Sequence, residues 1–225
     1  MSRLRVINLG LPKSGTTTLG VALKEFGLRV ADWRIRRGQT EHREIAGNFV
    51  GRVLYRGYFK TGDPLHYMDE FDAFTEISVA SRGHNEWPQT DWGLLSAIID
   101  HHPGAKFLYS SRSADKLVDS MLRWSNLGRR RLPKNPVPGL PAGYGFEYDE
   151  LVRWVEGHRK FCHRVFAGSD AFMEYDILDP DAPKKIGDFL GMKITWWGKA
   201  NTNENRKAAP EETPDAMEPA QEQDS

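Results

Sequence analysis

Two short stretches of this 225-residue chain carry residue types at spacings that can do chemistry. The first is Gly10-Leu-Pro-Lys-Ser-Gly-Thr-Thr17. A glycine loop running from a strand into a helix aims several backbone N–H groups at one point. The helix dipole adds partial positive charge there, so the place suits a phosphate or a sulfate. The spacing Gly10-x4-Gly15 matches the start of a Walker A loop, but Thr16 stands where the lysine should follow the second glycine. The cation appears instead as Lys13, inside the loop, a place that suits the neutralising of a single charged group. An ATP-dependent P-loop kinase needs its lysine on the β/γ-phosphates and its Ser/Thr on Mg²⁺, so the displaced lysine speaks against that chemistry. The bland alternative is an ordinary glycine turn on an α/β sheet.

The second stretch is Arg112 and, eight residues on, Ser120. Arg112 follows an apolar strand, at the end where open parallel sheets bind their ligands. A guanidinium fork and a hydroxyl two helical turns later can converge on one phosphate. An Arg-x7-Ser spacing by itself recurs often by chance and reads by default as a solvated arginine. It gains weight from following the glycine loop in the same chain.

The elements that must position these residues are legible from periodicity. Leu4–Leu9 reads as a strand, and Leu19, Ala22, Leu23 and Phe26 recur at helical spacing up to Gly27, a helix-ending glycine. Leu28–Ala31 is a short second strand and Phe71–Ser78 a third. Trp92, Leu95 and Ile99, flanked by Leu94 and Ile98, mark an amphipathic helix ended by His102-Pro-Gly104, 106–111 reads as a strand, and a further helix starts near Ser113. Residues 127–146, rich in Gly, Pro and Arg, read as a surface loop or lid. Tyr148, Leu151, Val155, Cys162 and Val165 mark one face of a long helix, and Ala171–Glu174 a strand. Asp179-Pro180 supplies N-cap and first residue of a last helix ending at Leu190-Gly191. Strands alternating with helices predict an α/β fold, a P-loop-type, mostly parallel sheet with helices on both faces.

Three segments together resemble the PAPS-dependent sulfotransferase superfamily, in its small single-domain form (PAPS is 3′-phosphoadenosine 5′-phosphosulfate). They are Pro12-Lys-Ser-Gly-Thr-Thr17, Phe107-Leu-Tyr-Ser-Ser-Arg112 with Ser120, and Phe172-Met-Glu-Tyr-Asp176 with Asp188-Phe-Leu-Gly191. The resemblance spans about residues 4–206. It implies PAPS as cofactor, with Lys13, Ser14, Gly15, Thr16, Thr17 and Thr18 at its 5′-phosphosulfate. Lys13 doubles as electrostatic catalyst, and Arg112 and Ser120 take the 3′-phosphate. Members with Trp after the second Thr stack it on adenine, whereas this chain has Thr18. An Arg-Lys-Gly loop of larger members has only Arg206-Lys207 as a counterpart here. The family places a His or carboxylate at the end of the strand before the Arg112-type strand, which makes Glu76 the candidate general base. His42, His84 and His158 stay open as alternatives, as does a structural ion pair for Glu76. The activity implied is transfer of a sulfuryl group to a hydroxyl or amine acceptor; a catalytically degenerate nucleotide-binding protein is the non-enzymatic alternative.

Composition bounds the rest. Acidic and basic residues balance at 31 each, yet residues 208–225 hold six acids and no Lys or Arg, leaving residues 1–207 with a net charge of +6. We expect 1–207 to fold as one domain and the acidic 208–225 tail, poor in large apolar residues, to be disordered. Cys162 is the only cysteine, so neither an intrachain disulfide nor a multi-cysteine metal site is available, and no metal is expected. With no sequon, no signal-like start and no long apolar run, a cytoplasmic protein without a membrane span is expected, with no nucleic acid partner. Arg129, Arg130, Arg131 and Lys134 sit in the presumed lid, where they either attract an anionic acceptor or face solvent. The seven tryptophans serve packing, and some of them an acceptor pocket.

Overall fold

The computed structural model describes residues 3–81 and 84–200. The acidic tail, Arg206 and Lys207 lie outside the described residues. In chain order the elements are β1 (Arg5–Asn8), α1 (Thr16–Glu25), β2 (Val30–Ala31), α2 (Val50–Thr61), β3 (Ala73–Phe74), β4 (Val79–Ser81) and β5 (His84–Glu86). Then follow α3 (Trp92–His101), β6 (Ala105–Ser111), α4 (Ala114–Arg123), the single turn α5 (Leu132–Lys134), α6 (Tyr148–Val165), β7 (Phe172–Asp176) and α7 (Ala182–Leu190).

Every residue of β1 is buried, as expected for a strand covered on both faces. It sits in the middle of a five-stranded sheet of order β2-β3-β1-β6-β7, with every pairing parallel. The α/β fold read from the alternation of elements is therefore the observed one. One face is covered by α2, α3 and α6, through residues such as Leu54, Leu95 and Cys162. The other is covered by α1 and α7, through Leu19, Leu23 and Ile186. Each fully buried leucine contributes about 1.5–3 kcal/mol. A third cluster joins α4, the N-terminal half of α6 and the 127–140 segment around Leu11, Trp87 and Trp154.

Local signals set most boundaries. Gly27 (φ +104°) follows α1 and Gly191 (φ +69°) ends α7. Asp91 caps α3 by accepting from the Leu94 N–H at 3.2 Å. Glu150 closes a capping box at the start of α6.

Three expectations need correction. The strand read over 71–78 pairs only at Ala73–Phe74. Phe71 and Ile77 are buried all the same, because alternating apolar residues report burial and not the ladder. After Phe74 the Thr75 carbonyl is taken by the Asn8 side chain at 2.8 Å, and the chain leaves the sheet. It then forms the antiparallel pair β4–β5, which periodicity did not reveal. Second, 127–146 is not an open surface loop throughout. Leu127, Leu132, Val137 and Leu140 anchor it in the third cluster, and 127–131 forms a π-type turn leading into α5. Third, α7 starts at Ala182, with Asp181 as N-cap. Asp179 instead accepts from the Asp181 N–H at 2.9 Å, folding a local turn ahead of the helix.

Candidate functional site

The glycine loop leaves the C-terminal end of β1 and enters α1 with two residues in left-handed conformation, Lys13 (φ +77°) and Gly15 (φ +100°). Gly15 is the N-cap of α1, and no side chain caps that end. The first-turn N–H groups have no intrahelical acceptors, so they remain available to an anion. Gly10 must be glycine for a different reason. A Cβ there would stand 1.9 Å from Ser110 Oγ and 2.5 Å from Ser14 Oγ, so the loop and β6 touch backbone to side chain.

The side chains of the loop divide. Ser14 is buried and its hydroxyl meets that of Ser110 at 2.6 Å, so it turns toward β6 and away from the open side. Thr16 Oγ1 donates to Glu76 Oε2 at 2.8 Å. Thr18 Oγ1 donates to the Gly198 carbonyl at 3.0 Å, which ties the loop's helix to the segment after α7. Thr17 is half-buried. The Lys13 ammonium lies 3.2 Å from the ring centroid of Trp124, the residue that ends α4.

Arg112 directly follows β6, the strand beside β1. Its Nη1 donates to the Lys13 carbonyl at 3.3 Å, so it joins the loop across 99 residues of sequence. Its Nε is buried with no hydrogen-bond partner among the described residues. Ser120 is half-buried on α4, one turn before Trp124. Lys13, Thr16, Glu76 and Arg112 are therefore brought together at the C-terminal edge of the sheet. Ser120 stands on the adjoining helix, with no bond to the loop or to Arg112 among the described residues.

Glu76 is half-buried two residues past β3. Burial raises its carboxyl to about 7; the Thr16 hydroxyl opposes this, Asp32 reinforces it, and the charges of Lys13 and Arg131 oppose it. Asp32 follows β2, the strand that pairs with β3, which brings two carboxylates to adjacent strand ends. Asp32 was not marked by the sequence, and Trp124 only as one of the seven tryptophans. The available signal for Asp32 was its place just after a short apolar strand, the same kind of place as that of Glu76. The basic run of the 127–146 segment is also split. Arg129 and Arg130 are exposed, while Arg131 is half-buried and donates to the Ala80 carbonyl at 3.1 Å.

The histidines occupy other places. His42 is exposed near Glu44. His84 meets Arg52 at 3.2 Å and lies 3.8 Å from Glu86. His158 is buried, bonded through Nε2 to the Leu9 carbonyl at 2.8 Å, and burial lowers it to about 4. It lines a cleft of about 590 Å³ between α6 and residues 138–144, and none of Lys13, Glu76 or Arg112 borders that cleft. Among the described residues no group of three or more His, Cys, Asp or Glu is placed to hold a metal ion, and no helix is long and apolar enough to cross a membrane.

Residues 5–166 match the profile of a family described as "Sulfotransferase domain". Among solved structures, the sulfotransferase domain from the Synechococcus PCC 7002 olefin synthase is similar at 16% identity, with a TM-score of 0.43. That match covers 86% of this chain and 75% of the other. No curated protein matches significantly.

Proposed function

Since the chain belongs to the sulfotransferase domain family, we propose that it is a PAPS-dependent sulfotransferase acting on a hydroxyl or amine acceptor. The observation that carries this reading is Arg112. Its buried Nε has no partner among the described residues, while Nη1 reaches the Lys13 carbonyl. A buried donor left unsatisfied costs about 1–3 kcal/mol, so a group kept in that state suits an anion that would complete it. Arg112 stands at the end of β6, and the glycine loop leaves the end of neighbouring β1. Two anion-seeking groups on adjacent strand ends fit a nucleotide that carries phosphate at both its 5′ and 3′ positions.

In this reading the first-turn N–H groups of α1 and Lys13 hold the 5′ side, and Arg112 with Ser120 the 3′-phosphate. Ser14 contributes through its backbone, since its hydroxyl is spent on Ser110. Bound PAPS supplies an activated sulfuryl group, whose S–O bond to the 5′-phosphate breaks as the acceptor's oxygen or nitrogen bonds to sulfur. Lys13 stabilises the charge left on the phosphate oxygen. Glu76 takes the acceptor's proton, a task that suits a carboxyl raised to about 7. Thr16 orients that carboxylate through Oε2, which leaves Oε1 as the basic oxygen.

Calorimetry with adenosine 3′,5′-bisphosphate, AMP and ADP, in the presence of a metal chelator, tests the nucleotide assignment. The bisphosphate should bind far more tightly than either of the others. Equal affinity for AMP, or binding only with Mg²⁺, would sink it and favour an ATP-dependent enzyme. Incubation with labelled PAPS and a metabolite extract then identifies the acceptor.

A further inference from the structure

We propose that Trp124 is a positioning residue for Lys13, its indole face holding the lysine ammonium at the mouth of the loop by a cation–π contact. This rests on the reading of Lys13 as the electrostatic catalyst of sulfuryl transfer. The ammonium nitrogen lies 3.2 Å from the ring centroid, well inside the range of roughly 6 Å over which such contacts act.

Both partners are held by their backbones. Lys13 adopts φ +77°, a region that non-glycine residues seldom occupy, and its carbonyl is tied to Arg112 Nη1. With the backbone so fixed, the side chain runs out to the end of α4. Trp124 is the C-cap of that helix: its N–H bonds to the Met121 carbonyl at 3.2 Å, and Ser125 at φ +49° turns the chain immediately after it. The partly buried indole also packs against the apolar cluster of α4, α6 and the 127–140 segment, which restrains it. Ser120 lies one turn earlier, and residues four apart share a helix face. The face of α4 that carries the Ser120 hydroxyl therefore ends on the ring that holds Lys13.

The choice of an aromatic partner has a chemical reason. An indole face attracts the ammonium through its quadrupole and leaves its net charge intact.

Two measurements test this. The first is emission, which needs no substrate. Lys13→Met should shift tryptophan emission in the wild-type background, and the same change should leave the emission of Trp124→Phe unaltered. An equal shift in both backgrounds, or none in the wild type, overturns the contact. The second is turnover with labelled PAPS. Trp124→Leu should lower kcat by roughly 3–30-fold, the span of a partly desolvated cation–π contact, with KM for PAPS nearly unchanged. Trp124→Phe, which keeps an aromatic face, should restore much of the rate. A Trp124→Leu enzyme with normal kcat, or one no slower than Trp124→Phe, overturns the positioning role. If the protein transfers no sulfuryl group at all, the function proposed above fails, and the emission pair still decides the contact.

Discussion

The hydroxyl of Thr16, the first residue of α1, donates to Oε2 of Glu76 at 2.8 Å. The position that a Walker loop gives to its lysine thus belongs here to a threonine turned toward a raised carboxyl. Hydrogen bonds to the charged form favour it, so Thr16 counters the burial that raises Glu76 to about 7. Thr16→Val keeps the shape and deletes the donor. A hydrogen bond to a charged group is worth about 1.5–3 kcal/mol, and 1.36 kcal/mol is one pKa unit, so the acid limb of the pH–rate profile should move up by about one unit or more. A profile that stays in place would mean that Thr16 does not set the ionisation of the base.

Glu76→Gln removes the proton acceptor and should cut turnover by roughly 10²–10⁴-fold while sparing adenosine 3′,5′-bisphosphate binding. His84→Asn is the control and should be nearly silent. In the wild type, activity should rise with pH through about 7 as the carboxyl ionises. Were the histidine variant dead and the glutamine variant active, the base would be His84.

Stability should respond to the same group with the opposite sign. The folded state holds the Glu76 proton more tightly than the unfolded chain does, with the carboxyl raised from 4.5 to about 7. The resulting stabilisation is complete below the unfolded pKa and is lost as pH rises through about 7. Ionised Glu76 therefore costs up to roughly 3 kcal/mol in alkaline solution. Glu76→Gln should be the more stable protein near pH 8, and the gap should close on acidification, as urea denaturation at the two pH values can measure. A constant gap would show that the carboxyl is not raised.

Lys13→Ala should reduce turnover by roughly 10²–10³-fold, the scale for losing one preorganised donor at a site of developing charge. Nucleotide affinity should fall much less, because the first-turn N–H groups of α1 remain. A variant with near-normal turnover would reduce Lys13 to a lysine beside a glycine turn.

Arg112→Ala should weaken adenosine 3′,5′-bisphosphate by about 1.5–3 kcal/mol, roughly 10–150-fold, and leave AMP almost untouched. Calorimetry with both ligands separates the outcomes. Equal losses for the two would point to a disturbed loop, since Arg112 also holds the Lys13 carbonyl.

What the sequence determined by itself lies within a few residues of its cause. The strand, glycine loop and α1 were legible because a buried run, a left-handed glycine and a 3.6-residue period all act on near neighbours. Arg112 was legible because β6 ends at the residue before it. Even there, local signals overreached: the apolar alternation of 71–78 announced burial and not pairing, and Asp179 spent its carboxylate on a turn.

The pairings that make the site were left to the tertiary structure. Thr16 meets Glu76 across 60 residues, Ser14 meets Ser110 across 96 and Arg112 meets Lys13 across 99. None of these follows from spacing, because each depends on β1 being inserted between β3 and β6 in the sheet order. The same packing decided which way equivalent residues face. Of three consecutive arginines only Arg131 turns inward, and of seven tryptophans Trp124 meets the lysine. Residue type and spacing are local properties of the chain. Which donor faces which acceptor is set by strand order and helix packing, where the free energy comes from burying the whole apolar surface and not from the pair itself.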